Sequence, residues 1–106
     1  CAISPGTLQA PVMVLSTSRA QEGEVVLAHC FLRKIIPATR IVFCKDGMEL
    51  YNMKAQEDVV IYSMLLNISA RSSGTYTCAY QQRNESNWLR RSPLSTPLDL
   101  HVTGGT

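Results

Sequence analysis

Charge of either sign is scarce in this 106-residue chain: 10 Lys and Arg stand against 8 Asp and Glu, a net +2. That bias is too small to draw nucleic acid or an anionic membrane by bulk charge. Histidine is scarcer still; His29 and His101 lie far apart, and each reads as a strand surface residue. No CxxC pair or His cluster accompanies the cysteines, so a zinc site lacks its donor set. No Ser–His–Asp set, carboxylate pair or phosphate-cradling loop can be assembled, which removes the ordinary routes to catalysis. The expectation is therefore no catalytic, cofactor-binding or metal-binding residues, and no enzyme. No apolar run approaches the roughly 20 residues that span a bilayer, and no signal-peptide pattern opens the chain. It reads as a mature ectodomain, or a piece of one, meeting a membrane only through segments absent from this sequence. Helix patterns, internal repeats and low-complexity tracts are missing too.

What is present is a hydrophobic fraction of 45%, ample for one packed domain of this size. Cys1, Cys30, Cys44 and Cys78 form an even set with three possible pairings. Two glycosylation sequons, Asn67-Ile68-Ser69 and Asn84-Glu85-Ser86, accompany them. Together these features indicate an oxidising, extracellular setting.

Short apolar runs alternate with turn residues at spacings near ten, the pattern of an all-β sandwich. Residues 1–10 read as a lead-in, residues 11–104 as the domain, and residues 105–106 as a tail or linker. Strands are expected at Val12–Leu15, Glu24–Phe31, Arg40–Lys45, Glu49–Met53, Asp58–Ile68, Thr75–Gln81 and Thr96–Val102. The run from Ser16 to Gly23 reads as a turn, and residues 34–39, with Pro37, as a loop. The two-residue period puts Val26, Ala28 and Cys30 inward on the second strand. On the third it puts Ile41 and Phe43 inward and Val42 and Cys44 outward. Asp46-Gly47 is a tight-turn pair. Met64, Leu66 and Ile68 share one face, with Leu65 and Asn67 on the other.

The segment Ser73-Gly74-Thr75-Tyr76-Thr77-Cys78 decides the fold, with Cys30 lying 48 positions upstream. The two cysteines suit inward faces of two sheets about 10 Å apart, joined through the core. Closing that loop contributes on the order of 4 kcal/mol in the chain-entropy model. Tyr76, two before the second cysteine, fits a tyrosine corner, its hydroxyl bonding back to the turn backbone. Gly74 suits a turn that needs a permissive backbone. The expected fold is an immunoglobulin-like (C2/I-type) two-sheet antiparallel sandwich with a core inter-sheet disulfide.

Gly74–Cys78 followed by Ala79-Tyr80 resembles strand F of leukocyte-receptor-complex immunoglobulin domains. That family includes the leukocyte and killer-cell immunoglobulin-like receptors, platelet glycoprotein VI, the Fc-alpha receptor and avian immunoglobulin-like receptors. Phe43-Cys44-Lys45-Asp46-Gly47 is similar to its aliphatic-Tyr-Lys-Glu-Gly pattern. Trp88 with Ser95-Thr96-Pro97-Leu98-Asp99-Leu100-His101-Val102-Thr103-Gly104 is similar to its Trp-Ser-x-x-Ser-x-Pro-Leu-x-Leu-x-Val-Thr-Gly ending. The likeness covers roughly residues 11–104. It implies a ligand-binding domain of an immune or blood-cell surface receptor. The implied partner is a protein such as an antibody Fc, a histocompatibility molecule or collagen, with a tandem immunoglobulin domain alongside. A domain of a secreted binding glycoprotein, or a spacer that positions a neighbour, are the alternative roles.

The chain departs from the pattern in four places. Ser72 stands where an Asp is usual at the corner. Ala28 replaces a larger residue. Trp88 is seven positions before Ser95, a stretched spacing that implies an irregular start to the last strand, supported by Trp88. Cys44 occupies a Tyr position. For Cys1 and Cys44 three readings stand open: a second internal disulfide, within reach of a ten-residue lead-in; pairing of Cys1 with another chain, or Cys1 as an added residue; or a reactive thiol, which no histidine is placed to activate.

Binding is expected where the second-to-third and sixth-to-seventh strand loops cluster. Arg33, Lys34, Arg83, Arg90 and Arg91 face only Glu85 there, a basic end suited to an acidic partner. Trp88 is a candidate anchor by type. Tyr51, Met53 and Tyr62 are candidate contacts at a sheet edge. A glycan on Asn84 would shield the arginines.

Overall fold

The computed structural model describes residue 1 and residues 7–104; the expected tail at 105–106 and residues 2–6 of the lead-in lie outside them. Nine strands form: β1 (Val12–Leu15), β2 (Arg19–Gln21), β3 (Val25–Phe31), β4 (Ala38–Lys45), β5 (Met48–Lys54), β6 (Ile61–Asn67), β7 (Gly74–Arg83), β8 (Leu89–Arg91) and β9 (Leu98–Thr103). One sheet runs β1-β3-β6; the other runs β2-β9-β7-β4-β5, with β8 on β7. All pairings are antiparallel except β2 with β9.

Alternation on β3 and β6 supplies the first sheet's inner face. Val26, Ala28, Cys30, Tyr62 and Leu66 are buried against Ile41, Phe43, Tyr76, Cys78 and Leu100 of the other sheet. Cys30 and Cys78 are bonded across this core, with Cα atoms 6.2 Å apart. Tyr76 makes the expected corner, donating its hydroxyl to the Ser72 carbonyl. The missing corner Asp is replaced by a local knot. Ser69 and Ser72 cap the 3-10 turn Ala70–Ser72 reciprocally, each hydroxyl accepting from a backbone N–H. Asp46 and Gly47 take φ of 53° and 81°, the two positive values a two-residue hairpin turn requires. The Asp46 carboxylate caps the neighbouring strand, accepting from the Thr75 N–H at 2.9 Å. That bond, and secondarily Lys45, holds the Asp46 carboxyl below its ordinary range.

Four expectations need correction. The run from Ser16 to Gly23 is not only a turn: Arg19–Gln21 crosses to the second sheet and pairs with His101–Thr103. Val42 and Cys44 point away from the core yet are buried, together with Thr77 and Ala79 on the same face. Of the three readings open for Cys1 and Cys44 the internal disulfide is the one that forms, so residue 1 is fastened to that face. Tyr62 is no edge contact: it is buried, its hydroxyl donates to the Val59 carbonyl at 2.9 Å and accepts from the Gln56 N–H at 3.0 Å, and so pins the 55–60 loop. The fifth expected strand, Asp58–Ile68, begins only at Ile61, because Asp58 adopts φ of 62° and breaks the extended run before it.

The last expected strand forms as β9, and a short strand outside the expected set, β8, precedes it. β8 leaves β7 after Arg91, and β9 joins it only at Leu98. Between them the ladder is completed by two serines. Tyr80 N–H donates to Ser92 Oγ at 3.0 Å and Cys78 N–H to Ser95 Oγ at 2.8 Å. The Ser92 and Ser95 amides return bonds to the Tyr80 and Cys78 carbonyls. Both serines are buried. Pro93, with no N–H, cannot continue a regular ladder there, so a side-chain oxygen stands in for each missing carbonyl.

The outer face of the β1-β3-β6 sheet is apolar. Register places Val12, Phe31 and Ile61 in one row; Val14, His29 and Ser63 in the next; then Leu27 with Leu65; then Val25 with Asn67. No charged side chain occupies any of these outward positions.

Candidate functional site

Three connections meet at one end of the sandwich. The β3–β4 loop carries Ile35-Ile36-Pro37, the β5–β6 loop carries Gln56-Glu57-Asp58, and the end of β7 carries Arg83. These side chains line an open cleft of about 610 Å3. Its floor is aliphatic, and Ile35 is 65% exposed. Pro37 and Arg83 are shared with an adjoining depression lined by Gln82, Asn84, Glu85, Ser86 and Arg90. The two depressions adjoin, and carboxylates (Glu57, Asp58, Glu85) and guanidinium groups (Arg83, Arg90) line them together.

The β7–β8 loop is built tightly. Asn84 Oδ1 accepts from the Ser86 and Trp88 amides, both at 2.9 Å. Asn87 takes φ of 65° to close the turn. Arg83 donates to the Asn87 carbonyl at 3.1 Å, which holds its guanidinium at the loop base. Arg33 donates to the Ala10 carbonyl. Arg90 reaches Thr7 Oγ1 at 3.5 Å, and the neighbouring Tyr80 hydroxyl donates to the Gln9 carbonyl at 2.8 Å. Burial pushes the Tyr80 hydroxyl above its ordinary pKa, with Arg90 opposing, so it stays a neutral donor at physiological pH. Among the described residues the only ion pair is Lys45 with Asp46, at the opposite end. Arg83 and Arg90 thus form no ion pair among the described residues, although Glu57, Asp58 and Glu85 line the same surface.

Not all of the expected site residues come together. Arg83 and Arg90 share the surface. Arg33 and Lys34 are exposed in the adjoining loop, and Arg91 is half-buried on β8 opposite Gln81. Tyr51 is elsewhere, on β5 beside Ser63, Met64 and Leu65. Met53 is half-buried against the core. Trp88 does not support the last strand: it is 72% exposed on the β7–β8 loop, and Ser92 and Ser95 carry that structural task. The end is also less one-signed than expected, since Glu57 and Asp58 join Glu85 there. The Ile35-Ile36-Pro37 wall was missed, although three apolar residues inside a loop are themselves a sign of an exposed contact.

Neither a protein-family model nor a curated protein sequence matches the chain. Solved structures do. The structure of CHIR-AB1 superposes with a TM-score of 0.76 at 24% identity, covering 91% of this chain and all (100%) of that one. The chain has the immunoglobulin fold. Mouse leukocyte-associated immunoglobulin-like receptor 1, solved as a strand-swapped dimer, matches this immunoglobulin domain at a TM-score of 0.65 and 17% identity, over 94% of this chain and 99% of that one. Murine CEACAM1b matches at 0.61 and 16% identity, over 90% of this chain and 45% of that longer one. At these identities the likeness carries the fold, and the site must be read from its own residues.

Proposed function

We propose that this immunoglobulin domain, spanning residues 11–104, is the extracellular ligand-binding domain of an immune or blood-cell surface receptor of the leukocyte-receptor type. It recognises a protein through the cleft end, and catalysis has no part in it. The observation that carries this reading is the convergence of two loops and the end of β7 into an open surface lined by Ile35, Ile36 and Pro37, with arginines that form no ion pair among the described residues. Apolar anchors ringed by charge are the composition of a protein-recognition surface. The two disulfides support an oxidising compartment. Two of the solved structures it superposes on are of mouse leukocyte-associated immunoglobulin-like receptor 1. Arg83 and Arg90 meet acidic groups of the partner, Glu57 and Asp58 basic ones, and Ile35 with Trp88 supplies the buried contact. A glycan on Asn84 would cover part of this surface and restrict binding to the Ile35–Asp58 side.

The test is capture of soluble antibody Fc, collagen and histocompatibility molecules by the immobilised domain, repeated with Arg83→Glu. Binding of one of them, weakened about tenfold or more by the charge reversal (about 1.4 kcal/mol), is expected. No binding to any member would leave the domain as a spacer. Binding indifferent to Arg83→Glu and to Ile35→Asp would place the site elsewhere.

A further inference from the structure

The apolar outer face of the β1-β3-β6 sheet has no role in the cleft. Leu27, Leu65, Ile61 and Val25 are each between 41% and 53% exposed on it. A soluble domain seldom leaves a contiguous apolar patch of a few hundred Å2 uncovered. Three observations indicate its cover. The end row of the face holds Asn67 opposite Val25, and Asn67 is exposed, outward and the first residue of the sequon Asn67-Ile68-Ser69. The four rows extend away from that asparagine over about 20 Å, taking about 3.3 Å per residue, a length comparable to an N-linked core glycan. Midway stands the only polar pair, His29 Nδ1 and Ser63 Oγ at 2.6 Å, offering hydroxyl partners between aliphatic neighbours.

We infer that Asn67 is an N-glycosylation site whose glycan lies along this sheet and covers its apolar rows. Sugar rings turn apolar C–H faces toward Leu65, Leu27 and Ile61 and hydroxyl edges toward His29, Ser63 and water. The absence of charge on the face suits a neutral glycan core and leaves no ion to desolvate. A second copy of the chain is the competing occupant. Pairing two such faces would trap both Asn67 side chains at the seam, so the glycan and the dimer exclude one another. The inference rests on the extracellular placement proposed above, but not on the cleft or its ligand.

The experiment uses the full chain secreted from a glycosylating eukaryotic host. Peptide mass spectrometry reads occupancy at Asn67 and Asn84. The folded glycoprotein is then trimmed to its first sugar with an endoglycosidase, and Asn67→Gln and Asn84→Gln are prepared alongside. The expected result is an occupied Asn67 and a monomer by sedimentation velocity. Trimming, or Asn67→Gln, gives a several-fold rise in anilinonaphthalene sulfonate fluorescence and concentration-dependent dimers. Leu27→Glu with Leu65→Glu reverses both effects, and Asn84→Gln produces neither. Trimming acts on folded protein, so the result stands even where Asn67→Gln fails to fold. An unoccupied Asn67 beside an occupied Asn84 overturns the inference and leaves the extracellular reading intact. Trimming without change in dye binding or oligomeric state also overturns it, as does an occupied protein already dimeric through this face. Ligand capture at the cleft is read separately and is unaffected by either outcome.

Discussion

Replacing Ser95 by alanine removes one oxygen and strands one buried amide. In the native domain Cys78 N–H donates to Ser95 Oγ at 2.8 Å, and neither residue is reached by water: Cys78 is 0% and Ser95 2% exposed. The backbone bond from Ser95 N–H to the Cys78 carbonyl survives the substitution, so the segment stays in place and the orphan is confined to one donor. Leaving a buried N–H unpaired costs about 1–3 kcal/mol. For a domain near 100 residues each kcal/mol moves Tm by roughly 4–8 °C, so a loss of about 2 kcal/mol lowers it by roughly 8–16 °C. Calorimetry of Ser95→Ala against Thr96→Ala isolates the effect, because Thr96 is exposed and its truncation should stay within about 0.5 kcal/mol. Hydrogen exchange at the Cys78 amide should accelerate in the first variant only. Equal melting of the two variants, with Cys78 still protected, would refute the claim that serine hydroxyls complete this ladder.

Gly74→Ala should destabilise by about 1–3 kcal/mol in a denaturant titration, since Gly74 sits at φ of +157° and an added Cβ would lie 2.7 Å from the Asp46 carboxylate. The Asp46 carboxyl is depressed in the folded state, chiefly by the Thr75 N–H, so its stabilisation is present above the ordinary value of 3.8 and lost as pH falls through and below it. The melting difference between wild type and Asp46→Asn should therefore shrink below that pH, and a difference constant from pH 6 to pH 3 would contradict the assignment. Replacing Cys1 and Cys44 by alanine opens a loop of 43 positions and should cost about 2–4 kcal/mol, with Cys30–Cys78 still mapped as bonded under non-reducing conditions.

Much of this architecture is legible in the sequence because it is local. Period-two alternation at 25–31 and 61–67 gives the inner face of the first sheet, Ile41 and Phe43 mark that of the second, and Asp46-Gly47 states its own turn. What escapes is set by distant partners. Arg19-Ala20-Gln21 has no strand pattern, since its strand exists only by pairing with residues 101–103. Alternation gives the side of the sheet on which Val42 and Cys44 point, but not that this side is buried and tied to Cys1. Ser92 and Ser95 look like loop residues until their hydroxyls are seen on the Tyr80 and Cys78 amides. The spacing of the last strand also misleads about Trp88, whose exposure removes it from a supporting role. Half of the cleft was readable as a basic loop pair. The other half, Glu57 and Asp58, arrives there through the fold of a loop that Tyr62 pins from inside.

A hydrogen-exchange footprint of whichever panel protein the domain captures tests the proposed function most directly. The account predicts slowed exchange in residues 33–39, 56–58 and 83–90, which line or border the cleft, and no change across β1, β3 and β6. Protection centred on β5 around Tyr51, or on the β1-β3-β6 face, would contradict it.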